Sequence, residues 1–311
     1  MIRYVLLILG FMAIICQHYI VPIPAPLQAY LFFTGIILLG IPHGAADLLV
    51  AGSNAGASEK KFSKLRFLIA YISLLTAFAA VLYFFPLAGN LLFILFAAYH
   101  FGETDLYQFK TNSVLGKLFV TSYGMVILSV ILLNHFEEVK PLFLQFEAGK
   151  NNLQFISWID EHRYMLMSFF GLAFFASTFI YLLNNRTLGS LGKGQFLVRF
   201  ACLLFILFSM PMLIGFTFYF IAWHSILSLK NIVGYLRKDK QCSPLSITKQ
   251  ILLYSGLAMA GIALFGLTGF MFVSNGAAMS YLFLGLAVLT APHMLVMHDM
   301  YNHIRINKMA T

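Results

Sequence analysis

Ten windows of roughly twenty apolar residues follow one another along the chain, at 4–20, 27–49, 67–85, 88–108, 115–134, 163–184, 195–212, 214–231, 250–270 and 279–301. A helix needs about twenty such residues to cross the ~30 Å hydrocarbon core of a bilayer. The expected fold is therefore all-α, a polytopic membrane bundle of about ten transmembrane helices. The breaks carry turn chemistry: "VPIPAPL" at 21–27, "FPLAGN" at 85–90, "SMPMLIG" at 209–215 and "VSNGAA" at 273–278. Composition agrees, with 60% hydrophobic and only 10% charged residues, where a soluble domain carries about 25% charged. So much span leaves no room for a sizeable soluble domain, and residues 1–311 read as a single integral membrane domain. The first apolar stretch begins after Arg3 and has no small-residue cleavage site, so it reads as a retained helix. Residues 135–162 form the longest outside loop, within which "LQFISWIDEH" reads as a short interfacial helix.

Charge orients the bundle. With the N-terminus inside, the inner segments hold Arg3, Lys60, Lys61, Lys64, Arg66, Lys110, Lys117, Arg186, Lys193, Arg199, Lys230, Arg237, Lys238, Lys240, Lys249, Arg305 and Lys308, which is 17 of the 20 basic residues. Lys140, Lys150 and Arg163 remain outside, around the one acidic loop. This bias follows the positive-inside rule and predicts both termini in the cytoplasm of a multi-pass protein of the inner (cytoplasmic) membrane. Basic loops beside an anionic leaflet also account for the net charge of +9 without a nucleic-acid partner. The three cysteines, Cys16, Cys202 and Cys242, have no metal-like spacing and read as small apolar filler.

The nine histidines sort by depth. His18, His135 and His162 fall at outer interfaces and His303 in the inner tail. The other five lie inside spans two, four, eight and ten, all running from outside to inside. At ~1.5 Å per residue, His43 stands roughly 9 Å from the inner end of its span, His100 about 12 Å, His224 about 10 Å, His293 about 12 Å and His298 about 5 Å. Four histidines from four helices thus share one layer. Intramembrane ionisable groups are costly and face a bundle interior or cavity, so His43, His100, His224 and His293 are expected to hold a metal. The acids are placed to support them. Asp47 follows His43 by four residues on one helix face, Glu103 and Asp105 follow His100, and Asp299 follows His293. A carboxylate accepting the free ring N–H fixes an imidazole's tautomer and strengthens it as a ligand. Asp47 is expected to do this for His43, and Glu103 is a second candidate. Asp105 and Asp299 read equally well as helix-end acids meeting water or lysine. Imidazole-rich sites without thiolate suit Zn, Cu, Fe or Ni, and spacing does not choose among them.

The 33 Phe, 15 Tyr and 14 Met provide adaptable apolar walls, and "FTFYFIAWHS" at 216–225 sets Trp223 and several rings beside His224. A histidine-ligated metal so lined would suit a long lipophilic substrate drawn from membrane lipid. Two other classes are weaker. Lipid hydroxylases and desaturases use more histidines, in HxxxH pairs that are absent from these spans. A transporter with a His/Asp relay would show matched halves and spans broken at midmembrane, and no repeat is evident.

The motifs "GIPHGAADLL" at 40–49, "AAYHFGETDL" at 97–106, "FIAWHS" at 220–225 and "TAPHMLV" at 290–296 resemble the Brp/Blh family of membrane β-carotene 15,15′-dioxygenases, over nearly the whole chain. The resemblance implies an iron(II) enzyme, with Fe2+ as cofactor, that uses O2 to split β-carotene or a related carotenoid at its central double bond into two molecules of retinal. A retinal-binding rhodopsin would then be a functional partner. The family's ligand histidines carry over to His43, His100 and His224. Its further histidine, four residues past the tryptophan-linked one, is Ser228 here, and His293 is expected to complete the site, with His298 as a weaker candidate and a carboxylate such as Glu103 as the remaining alternative.

Overall fold

A computed structural model describes residues 1–57, 61–109, 111–144, 151–184, 190–238, 243–270 and 278–309, and among these every regular element is helical. The helices are α1 (Ile2–Ile20), α2 (Ala25–Gly56), α3 (Lys64–Phe84), α4 (Pro86–Asp105), α5 (Val114–Leu133), α6 (Phe136–Leu144), α7 (Leu153–Asn184), α8 (Ser190–Ser209), α9 (Met212–Lys238), α10 (Pro244–Phe270) and α11 (Ala278–Met309). Each of the ten predicted windows falls on one of the long helices. Seven helical stretches among the described residues are long and apolar enough to cross a membrane: α1, α2, α3, α5, α7, α9 and, in α8, Gly192–Ser209. Helix α4 fails on polarity, since His100, Glu103 and Asp105 crowd its last six residues.

One expectation is corrected. "LQFISWIDEH" is not a separate interfacial helix but the first turns of the 32-residue α7, because nothing in it interrupts the backbone ladder before the apolar run begins. The short helix of that outer segment is instead α6, opened by Glu137 and Glu138 at its N-terminus, where carboxylates favour the helix dipole. The break at "VSNGAA" lies outside the described residues up to Ala278, as do Lys60, Lys110, Lys150, Arg186, Lys240 and Cys242.

Contacts between helix ends pair as an alternating order requires. Arg3 at the start of α1 donates to the carbonyl of Asp105 at the end of α4 (2.6 Å). Tyr235 near the end of α9 donates to Asn54 near the end of α2 (2.8 Å). At the opposite end, Pro211 has no N–H to continue α8, which leaves the last carbonyls unfilled. Asn134 donates to the carbonyl of Phe208 (3.1 Å), the His18 ring bonds that of Ser209 (2.7 Å), and Glu138 accepts from the backbone N–H of Met212 (3.5 Å). His135 and His162 likewise bond carbonyls one turn back, of Ile131 and Trp158. His18 and His135 therefore serve helix ends, and His162 bonds within its own helix. Lys140, Asp160, Arg163 and Glu137 link α6 to α7 through ion pairs of 2.8 Å; partly exposed pairs of this kind contribute little.

Helix α4 is fixed by small residues. A methyl group on Gly102 would collide with the carbonyl oxygen of Val120 on α5, and one on Gly124 with that of Ala98 on α4. The two backbones touch at these glycines, as membrane helices do where small residues allow close approach. The contact sets the rotation of α4, and hence the direction in which His100 points.

Candidate metal centre

Two of the four predicted histidines sit where the helix ladder is loosened. In α2 the segment Ile36–Gly40 is wound as π-helix, followed by Pro42, which has no N–H to give. In α9 the π-helical segment runs Thr217–Ser225 and ends one residue after His224, with the Ser225 hydroxyl donating to the Phe220 carbonyl five residues back (2.9 Å). Such widened turns are frequent at functional sites. The second π segment packs closely on α2 at the start of the first, since a methyl on Gly35, one residue before it, would stand 2.7 Å from Ile221. The third histidine, His100, sits on α4 beside its Gly102 contact. The fourth, His293, follows Pro292 inside α11, where the missing N–H frees a carbonyl and favours a bend.

These elements bring all four imidazoles together. Ring centroids are 4.8 Å apart for His43 and His293, 5.2 Å for His293 and His100, 4.9 Å for His100 and His224, and 5.5 Å for His224 and His43. The rings form a closed four-membered circuit, each edge-to-face with two neighbours, and none is more than 5% exposed. Phe101 packs on His224 (4.9 Å), and Phe220 stacks on His224 and meets His43 at 6.2 Å. Trp223, next to His224 in sequence, turns away: its indole N–H donates to Asp105 (3.0 Å), which also accepts from Tyr123 (2.8 Å). Asp105 thus pins α4 to α5 and α9 rather than meeting water.

The predicted carboxylates are placed differently from expectation. Asp47 does not bond His43. Its Oδ1 meets Nδ1 of His293 (2.8 Å) and its Oδ2 accepts from the Tyr71 hydroxyl (2.9 Å). His43 instead donates Nδ1–H to the Leu39 carbonyl in its own helix (3.4 Å). The i,i+4 spacing put His43 and Asp47 on one face, but the small turn at Ala46 between them and the arrival of α11 give the carboxylate a nearer partner. Glu103 bonds none of the four imidazoles. It accepts from Arg305 (2.7 Å), His298 (3.0 Å) and Tyr99 (3.4 Å). His298 is thereby engaged away from the circuit. Sequence reading missed Tyr71, Tyr99 and Arg305. The available signal was that a hydroxyl or guanidinium inside an apolar span must find an acceptor.

The donor set fits a metal in its chemistry. Both nitrogens of His100, both of His224 and Nε2 of His293 are buried without a hydrogen-bond partner, a costly condition for polar atoms in a dry interior that a metal ion would relieve at one nitrogen of each ring. Imidazole nitrogens suit Fe, Zn, Cu or Ni. As the rings stand, their donor atoms are not gathered about one point, and among the described residues no group of three or more His, Cys, Asp or Glu forms a ready-made metal cage.

Known proteins extend this picture. The family model described as Beta-carotene 15,15'-dioxygenase matches residues 34–301, a stretch that contains all four histidines. The chain belongs to the beta-carotene 15,15'-dioxygenase family. A curated protein named Beta-carotene 15,15'-dioxygenase, from uncultured marine bacterium 66A03, is 25% identical over 269 residues, covering 84% of this chain and 90% of that one. No solved structure matches. The dioxygenase match ends at Tyr301, so it also takes in Ser228, which lies fully buried one helical turn beyond His224.

Proposed function

We propose that this chain is an iron(II)-dependent membrane dioxygenase that cleaves β-carotene, or a related carotenoid, at its central 15,15′ double bond with O2 to give retinal. The observation that carries the reading is the circuit of four imidazoles, assembled from four helices inside the stretch that matches the family. We place the protein in the inner membrane, with ten spans and both termini cytoplasmic, on the strength of the 17-to-3 charge division and the alternating end contacts.

His43, His100, His224 and His293 would hold the ion. Iron(II), when bound, supplies the means of activating O2. Four neutral imidazoles add no charge of their own, so the site keeps the ion's charge undiminished. The surrounding side chains serve the substrate. Phe101 and Phe220 wall the imidazoles with apolar surface, which suits a polyene and excludes water. No side chain is needed to move a proton for cleavage of a carbon–carbon double bond by O2, and no nucleophile is assigned. Asp47 and Glu103 act on the protein, through α11, rather than on the substrate.

Expression in a bacterium that accumulates β-carotene tests the activity. Loss of yellow colour with retinal appearing is the expected result. Colour unchanged, with the protein present in the membrane, refutes it. A reporter active only outside the cytoplasm, fused after residue 311, should be silent; an active one would mean an odd error in the span count.

A further inference from the structure

His293 enters the circuit from the helix farthest along the chain, and its ring could present either nitrogen. Its surroundings decide which. Asp47 on α2 stands 2.8 Å from Nδ1, and Tyr71 on α3 donates to the other oxygen of the same carboxylate at 2.9 Å. The side chains of His293 and Asp47 are 5% and 4% exposed. An ionised Asp47 can only accept, and with Tyr71 donating to its other oxygen the hydrogen shared with the ring is then Nδ1–H. The Tyr71 hydroxyl spends its single donor on Oδ2, which holds the carboxylate plane and leaves Oδ1 toward the ring. The opposite nitrogen, Nε2, is buried and has no partner, and the rings of His43 and His100 lie 4.8 and 5.2 Å away.

We infer that Tyr71 and Asp47 are positioning residues that lock His293 as its Nδ1–H tautomer and so present a bare Nε2 to the other three imidazoles. Three helices contribute to this chain of bonds, none of them the one that carries His100 or His224. The π segment and Pro42 of α2 therefore set two things at once: His43 directly, and His293 through Asp47. The tautomer claim stands on the protein alone. Its consequence for metal rests on the function proposed above.

The experiment follows the ring in the metal-free, full-length protein. Solid-state NMR of protein labelled with 15N-histidine, with the His293 signals assigned by their loss in His293→Ala, should show a protonated Nδ1 and an unprotonated Nε2. Asp47→Asn offers a donor as well as an acceptor, so the ring should become a mixture of tautomers. Tyr71→Phe keeps the shape and should broaden or partly mix the same signals, and it serves if Asp47→Asn fails to fold. Cobalt(II) titration gives the second measurement. Affinity should fall about 10- to 100-fold in Asp47→Asn, the usual effect of removing a carboxylate behind a ligand imidazole, and by less in Tyr71→Phe. A wild-type His293 protonated on Nε2, or a tautomer unaltered by both substitutions, overturns the inference. So does unchanged cobalt affinity in Asp47→Asn where the wild type binds. A wild type that binds no cobalt would sink the metal reading, while the tautomer measurement would still decide this one.

Discussion

Substituting Glu103, which is buried between α4 and α11, tests what its carboxylate does. Three residues past His100, it reads from sequence as a carboxylate of the metal site. In the structure it is wholly buried and spends both oxygens on α11: Arg305 at 2.7 Å, itself only 5% exposed, and His298 at 3.0 and 3.2 Å. Glu103→Gln keeps the shape and one acceptor but leaves the Arg305 charge buried without its counter-ion. Removing one partner of a buried pair costs about 3–5 kcal/mol; the retained acceptor puts the expected loss near the lower end, about 3 kcal/mol. Glu103→Gln/Arg305→Met removes the stranded charge as well and should recover most of that loss, as replacing buried ion pairs by apolar residues commonly does. Unfolding in detergent micelles, with iron measured per folded chain, reads both quantities. The expected outcome is lower stability with iron per folded chain near wild type. Full stability with iron lost would refute the reasoning and return Glu103 to the imidazoles.

Other outcomes follow from the same contacts. His43→Ala, His100→Ala and His293→Ala should each lose most of the iron from purified protein, whereas His162→Ala, whose ring bonds the Trp158 carbonyl of its own helix, should keep it. Ser228→His in the His293→Ala background should restore binding, at an overpacking cost of about 1–3 kcal/mol, because Ser228 is fully buried. Gly102→Ala and Gly124→Ala should greatly reduce folded yield, since the added methyl meets backbone that cannot yield. Gly171→Ala on α7, where a methyl meets nothing within 4 Å, should be neutral or stabilising by about 0.5–1 kcal/mol.

Much of this architecture was legible in the chain because lipid permits few answers. Runs of apolar residues must become helices, so each of the ten windows lies on one, and Pro211 ended α8 where its missing N–H required. The gathering of His43, His100, His224 and His293 was legible from depth alone, because helices of known rise and alternating direction carry residues of equal depth to one layer. What was not legible is rotation about each helix axis. That depends on contacts between helices, such as Gly102 against Val120, and on π turns that shift the register after Gly40 and through Ser225. The partners of Asp47 and Glu103 were misassigned for this reason: spacing within a helix shows which residues share a face, not what arrives to meet that face. Tyr71 and Arg305 arrive from α3 and α11, at separations of 24 and 202 residues from those carboxylates.

The departure at Ser228 gains a physical meaning from this arrangement. The family resemblance places a histidine there, one turn past His224. Here the position is filled by a small, fully buried side chain at the level of Asn231 and Tyr301, whose side chains bond each other at 3.3 Å. An imidazole at 228 would have to share that layer. His293 comes from α11 instead and stands against His43 and His100. An imidazole that comes from a different helix needs its own means of orientation, and the carboxylate at the His293 ring is Asp47 of the "IPHGAADLL" stretch. The charge at the end of an apolar span is therefore explained by the helix that packs onto it. Asp47 on α2 bonds a histidine 246 residues away, and α11 is tied again to α4 through Glu103, the carboxylate that follows His100.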